Sequence, residues 1–403
     1  ALNLDGITFD DKTTIKLNAD TMLTSTSPKT VKTIDMGTYS LGLASATTDL
    51  TISDNFTINP SSYSGGLDTG LADLTMNGPV TVSSSGIRST GGTIKFGAGA
   101  NGSSFGEQAS MSIHDTSLVL DTDLYIHALN LTGSSLIQAN GNKLSLHHLG
   151  TSVQTEIDFN DIDTDNNSSL SLYGNTSITK NGAIVLKRIA VNGYTLTLNA
   201  AIPSLTARDL YIADENPSSQ NYLNSTGKLL AQGVDVNLTK KFLLDKGKIE
   251  MGGGTLTLDQ GGGLGNSGDG EIDLTNSTLE LAGPFLDDGG TLTTSASTLR
   301  LGANVLFQLG NEVTFDIYEP NGWGLLLKNN SQSGTSKGLT LGTSNSNITL
   351  EPSTNSLTSG FVSLYNSGSS GSSGSSDKFS NSGSFDNFSN SGSFDNFSNS
   401  GSF

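Results

Sequence analysis

The feature that most constrains this chain is a short apolar–any–apolar triplet that recurs along most of its length. Its first apolar position falls at Ile15, Leu41, Leu74, Ile94, Leu118, Leu144, Leu170 and Leu196, and again at Leu256, Leu279, Leu299, Leu325 and Ile348. Neighbouring members within each series lie 20 to 33 residues apart. Between Leu196 and Leu256 the period blurs, and Val234-Asp235-Val236 is expected to hold the intermediate place. Alternation over three to five residues is the signature of a strand, with the two apolar residues on one face and the middle one on the other. In Leu279-Glu280-Leu281 and Leu299-Arg300-Leu301 the middle residue is charged and belongs in water.

A strand this short buries too little to stand alone. Stacking copies at a period of 20 to 26 residues builds a continuous interior, which is the logic of a solenoid. Second strands such as Phe56-Thr57-Ile58, Val80-Thr81-Val82, Met111-Ser112-Ile113 and Leu124-Tyr125-Ile126 supply two or three strands per turn. Between them lie Asn140-Gly141-Asn142 and Gly252-Gly253-Gly254, suited to corners that need positive φ. A string of β-sandwiches is the competing architecture, but it calls for turns every 8 to 12 residues or so and for more core aromatics. Only 6% of this chain is aromatic. No segment carries a convincing helical stripe. The expected fold is therefore all-β, a single-stranded right-handed parallel β-helix over residues 1–365.

Composition narrows the function. The 20 basic and 38 acidic residues give a net charge of −18, which repels phosphate backbones and argues against nucleic-acid binding. The absence of cysteine among 403 residues excludes disulfides, thiolate catalysis and cysteine zinc sites. No apolar run has the length of a membrane span, and the first residues do not form a signal sequence. These properties suit an extracellular, cell-surface protein in its mature form after signal removal.

Segments such as Lys248-Ile249-Glu250-Met251-Gly252-Gly253-Gly254-Thr255-Leu256-Thr257-Leu258 and Asn276-Ser277-Thr278-Leu279-Glu280-Leu281 resemble rungs of haemagglutinin-like and autotransporter-passenger surface proteins. The resemblance is one of rung style over roughly residues 10 to 350. It implies an extracellular adhesive or fibrous role and carries no site residues across.

The C-terminal segment is a different polymer. Residues 366–376 are almost all Ser and Gly and read as a linker. Residues 377–403 form a nonapeptide tail in which Ser384-Phe385-Asp386-Asn387-Phe388-Ser389-Asn390-Ser391-Gly392 recurs as Ser393 through Gly401. One Gly and one Asp per repeat do not meet the glycine-rich pattern of calcium-binding β-rolls. Phe379, Phe385, Phe388, Phe394, Phe397 and Phe403 are instead regularly spaced apolar anchors. Burying each is worth about 2 kcal/mol. The tail is expected to act as an assembly strap, docking on its own or a neighbouring solenoid by strand addition.

Candidate chemistry is sparse. Asp161, Asp163 and Asp165 copy the opening of a Ca²⁺ loop, but Asn166 stands where the loop needs Gly and Leu172 where it needs Glu. They form a weak Ca²⁺ candidate, and no other cofactor is expected. Asp259, Asp269, Glu271, Asp273, Asp287 and Asp288 offer carboxylates to a polysaccharide-degrading β-helix enzyme, without a motif. His147 and His148 should point to opposite faces of a strand, one into the core and one to solvent. Matches to G-x-S-x-G at 102–106 and 334–338, and to G-x-G-x-x-G at 97–102 and 263–268, lack the following helix that such motifs require. Trp323 is read as a cap or interface residue. The expected function is that of a non-enzymatic subunit of a self-assembling surface filament whose main partner is itself. The alternatives are a monomeric adhesin for surface glycans and, further off, the enzyme.

Overall fold

The computed structural model describes residues 1–10, 12–44, 49–58, 66–83, 85–153, 156–213, 227–329, 338–343, 361–366 and 378–379. The chain forms an all-β solenoid of about 14 parallel turns. At about 4.8 Å between hydrogen-bonded strands, 14 turns make a rod about 65 Å long.

A turn with all its corners formed contributes one short strand to each of three faces, and among the described residues the strands together make sheets of 17, 10, 6, 5 and 4 strands. In one turn Leu67–Asp68 lies on the first face, Leu74–Met76 on the second and Val80–Val82 on the third. In a later turn the three strands are Thr278–Leu281, Phe285–Asp287 and Thr291–Thr293. The last two both pair with Gly262–Asp273, and Leu279 stacks through Leu256 and Val236 on Leu205, a column separate from the one that holds Leu210. Around the middle of the rod one corner straightens. The ten-residue strands Leu124–Gly133 and Leu144–Val153 run unbroken across two faces.

The interior is a set of in-register apolar columns. On the first face Leu67, Ile87, Met111, Leu129, Leu149, Leu170, Ile189 and Leu210 stack one on the next, in steps of 18 to 24 residues. All are buried. Phe285 and Phe307 stack at 4.9 Å, and Phe315 meets Phe307 edge-on at 6.4 Å. The triplets expected from the sequence are strands, but they do not form a single column. Leu41 and Leu170 lie on the first face, Leu74, Ile94 and Leu118 on the second, and Ile15 on the third. Val236 does bridge the blurred stretch, pairing with Leu205 before it and Leu256 after it. Ile348 lies outside the described residues.

Corners are held in two ways. Asn140 and Gly141 turn with φ of 53° and 81°, and Gly252 and Gly253 with 65° and 118°, as the sequence anticipates. In addition, an Asp or Asn at a corner accepts the backbone N–H of the residue twenty positions on, one rung above. This occurs from Ser40 to Asp20, Thr93 to Asp73, Lys143 to Asp123, Thr195 to Asn175, Thr255 to Asp235 and Gly324 to Asn304, at 2.6–2.9 Å. These clamps satisfy corner donors that the ladder leaves unpaired.

Parallel pairing continues to Phe361–Asn366, which stacks on Gly338–Thr343. The tail segment Lys378–Phe379 then pairs with Phe361–Asn366 in the antiparallel sense, Val362 opposite Phe379.

Candidate functional site

The outer surface of the first face carries a shallow trough of about 540 Å³ near the N-terminal side of the rod. It crosses five strands: Thr21–Thr24, Leu41–Leu43, Leu67–Asp68, Gly86–Ser89 and Ser110–His114. Alternation sends Leu41, Leu67 and Ile87 inward and turns Gly42, Asp68, Arg88 and Ser112 outward in one register column. A second outward column holds Ser40, Gly66, Gly86 and Ser110. The floor is thus main chain and serine. Met22 lies over Gly42, its Sδ and Cε within 3 Å of where a Cβ on Gly42 would stand. Asp68 accepts the Gly70 N–H at 3.0 Å and stands beside the exposed Arg88.

The same two columns continue into a cluster of rings and amides. One reads Asn130, Gly150, Ser171, Ala190, Tyr211; the other reads Ala128, His148, Ser169, Arg188, Asp209. The Tyr173 ring lies over Gly150, and the Arg188 guanidinium sits 5.1 Å from the Tyr211 ring centre. His127 and His147 stack at 4.6 Å on consecutive rungs. His148 Nδ1 lies 2.9 Å from the Ser169 hydroxyl. Burial, with His147, Arg188 and His127 adding repulsion, holds the His148 imidazole below its ordinary value. Burial and His147 do the same to His127. Neither His147 nor His148 enters the core, contrary to the strand alternation expected for them. The straightened corner falls between Leu146 and Leu149, both buried, and sends both imidazoles outward.

The structure does not bring Asp161, Asp163 and Asp165 together. The Asp163 carboxylate pairs with Lys143 at 3.5 Å. Asp165 closes its own turn, accepting the backbone N–H groups of Asn167 and Ser168 and the Ser168 hydroxyl. These bonds, led by that from Asn167, hold it below the usual carboxylate range. Asp161 serves the ladder through its carbonyl, which accepts the Leu144 N–H. Among the described residues no group of three His, Cys, Asp or Glu is placed to hold a metal ion.

Five of the six carboxylates considered for hydrolysis, all but Asp259, are engaged by other groups. Lys248 reaches Glu250, Glu271 and Asp273 at 3.0–3.4 Å. Burial opposes the Lys248 charge, but its bonds to Glu271 and Asp273 outweigh that and raise its value. Lys246 pairs with Asp269, and Gln308 donates to Asp288. Asp287 points inward and is buried, accepting N–H groups from Gly289 and Asn311 at 3.2 and 3.1 Å. Asp259 continues the ladder, its N–H donating to Leu238 O.

The catalytic patterns dissolve in the same way. Residues 97–102 enclose a one-turn 3₁₀ segment, Ala98–Ala100, with Ala100 buried. Residues 263–268 lie within the strand Gly262–Asp273. In residues 102–106 the serine at the motif's central position, Ser104, is exposed on the strand Ser104–Phe105, while the hydroxyl of its neighbour Ser103 accepts the Val80 N–H and donates to Ala100 O. The second G-x-S-x-G falls largely outside the described residues. Trp323 is half-exposed on a turn after Asn321 and Gly322 rather than over the core. Of the tail anchors, Phe379 has a described backbone, and Phe385, Phe388, Phe394, Phe397 and Phe403 lie outside the described residues.

No protein-family model, curated protein or solved structure matches this chain. The likeness to haemagglutinin-like and autotransporter-type proteins is therefore carried by rung style and fold alone. No helix among the described residues is long and apolar enough to cross a membrane.

Proposed function

We propose that this protein is an extracellular structural protein, a subunit of a self-assembling surface filament in the manner of haemagglutinin-like and autotransporter-passenger rods. The observation that carries this reading is the antiparallel addition of Lys378–Phe379 to the edge of Phe361–Asn366. Strand addition is how an extended segment captures an exposed sheet edge. A tail able to pair with its own solenoid is chemically able to pair with a neighbour's. The repeated Phe anchors then add burial beyond the pairing, about 2 kcal/mol for each ring covered.

The rest of the molecule is consistent with a mechanical part. Rung-to-rung clamps, charge ladders and a continuous apolar interior resist bending along the axis. A Ser-, Thr- and Asn-rich exterior stays hydrated.

Negative-stain electron microscopy and sedimentation of the full chain, beside a version ending at Tyr365, test the reading. Filaments or oligomers from the full chain and monomers from the truncated one are expected. A full chain that stays monomeric at every concentration, or a truncated one that assembles equally well, overturns it.

A further inference from the structure

We propose that the trough on the first face binds a neutral, hydroxyl-rich polysaccharide chain lying along the solenoid axis. The inference is independent of filament assembly, because it concerns the N-terminal rungs and not the tail.

The argument starts from which glycines the fold requires. A Cβ on Gly66 would stand 2.6 Å from Gly86 O, and one on Gly86 would stand 3.0 Å from Ser110 O. Rung packing therefore accounts for Gly66 and leaves little room for a side chain at Gly86. Gly42 is different. Its φ is not in the left-handed region, and the only atoms within 3 Å of an added Cβ are the far end of the Met22 side chain. The fold does not demand glycine at 42, yet glycine there lets Met22 lie flat and keeps the trough open.

Chemistry then selects the occupant. The floor's peptide groups are spent on the rung-to-rung ladder, so what faces a ligand is the set of Asp68, Arg88 and Ser110 side chains, which favours one that donates and accepts hydrogen bonds. The walls combine Asp20 and Asp68 with Arg88, and Met22 offers one apolar contact. Two carboxylates in a chain of net charge −18 disfavour an anionic ligand. A second copy laid face to face would gather four of these carboxylates around only two guanidinium groups. A hydrocarbon chain would strip water from the Asp68 and Arg88 side chains and give no hydrogen bond in return. A neutral polyol meets none of these penalties, with its ring face on Met22 and its hydroxyls on Asp68, Arg88 and serine.

Shape selects the linkage. The trough crosses five rungs at about 4.8 Å each, close to the rise per sugar of a straight β-1,4-linked pyranose chain. Its volume of about 540 Å³ lies within the span of small-ligand sites, about 300–1,000 Å³.

Calorimetric titration of the full chain with cellohexaose, chitohexaose and hexagalacturonate tests this. At least one neutral hexasaccharide is expected to bind at millimolar concentration or below, and the galacturonate more weakly. Gly42→Leu fills the trough by displacing only Met22. Arg88→Gln removes one exposed charge. Each should weaken binding about tenfold or more, while thermal unfolding stays unchanged and Lys95→Ala, on the second face, leaves binding intact. No binding by either neutral probe, tighter binding of the galacturonate, or binding indifferent to both trough variants overturns the proposal.

Discussion

Phe307 is the position where the solenoid's one-dimensional character can be tested most sharply. Its ring is fully buried, stacked on Phe285 at 4.9 Å and meeting Phe315 edge-on at 6.4 Å. Phe307→Ala removes the side chain from a column whose neighbours are fixed by backbone ladders above and below, so the cavity cannot collapse. A buried Phe→Ala change costs about 3–5 kcal/mol. Two lost ring pairs, worth about 0.5–1.5 kcal/mol each, place this site at the upper end of that range. Phe307→Leu keeps most of the volume and should cost less than about half as much. In a repeat array the loss is felt by adjacent turns rather than uniformly, since each rung touches only its neighbours. Amide hydrogen exchange read by mass spectrometry resolves this. Peptides spanning 285–315 should lose protection in Phe307→Ala while peptides spanning 67–131 keep theirs. Equal loss along the whole rod, or a cost below about 1 kcal/mol, would refute the reasoning.

Other outcomes follow from the same structure. Asp73→Ala removes the clamp on the Thr93 N–H, 2.6 Å long, and should lower stability by about 1–2 kcal/mol, with Asp73→Asn recovering most of it; denaturant midpoints measure both. Burial, opposed by N–H groups from Gly289, Gly310 and Asn311, raises the Asp287 carboxyl above its usual 3.8. Its contribution to stability is then full below the unfolded value and is lost as pH rises through the folded one. Asp287→Asn should flatten the fall in stability from about pH 4 upward. His148 should titrate below 6.5 by NMR, and His147→Asn should move His127 and His148 upward, though only in part because burial is the larger cause for both. Arg300, which bridges Glu280 at 3.3 Å and Glu319 at 2.7 Å, is about one-third exposed, so Arg300→Ala should cost no more than about 1 kcal/mol and less at high salt.

The fold class was legible because inward pairs such as Leu256/Leu258 and Leu279/Leu281 are a period-two pattern repeated at a solenoid's period. What the pattern does not encode is the face on which each pair sits. All three faces present the same apolar–any–apolar triplet, and connections between them vary in length. Counting from Leu41 to Leu74 therefore steps from the first face to the second, whereas the true partner of Leu41 is Leu67. The His147/His148 expectation failed for a related reason, since strict alternation holds within a flat strand and not across a bend inside one. The trough left almost no local trace. Its parts, Gly42, Gly66, Gly86 and Arg88, become neighbours only through the register. The one available signal was the repeated return of Gly to an outward position where Ser and Thr are the rule.

The register itself is open to direct measurement, because the chain contains no cysteine and any introduced pair reports alone. Thr51 and Thr75 face each other across adjacent rungs, and Lys95 lies one rung further on. Cα atoms of rung partners lie about 4.8 Å apart, within disulfide reach of about 4.4–6.8 Å, while two rungs span nearly 10 Å. Mild oxidation should cross-link Thr51→Cys/Thr75→Cys fully and leave Thr51→Cys/Lys95→Cys reduced. Cross-linking of the second pair, or failure of the first, would contradict the in-register parallel solenoid on which the account rests.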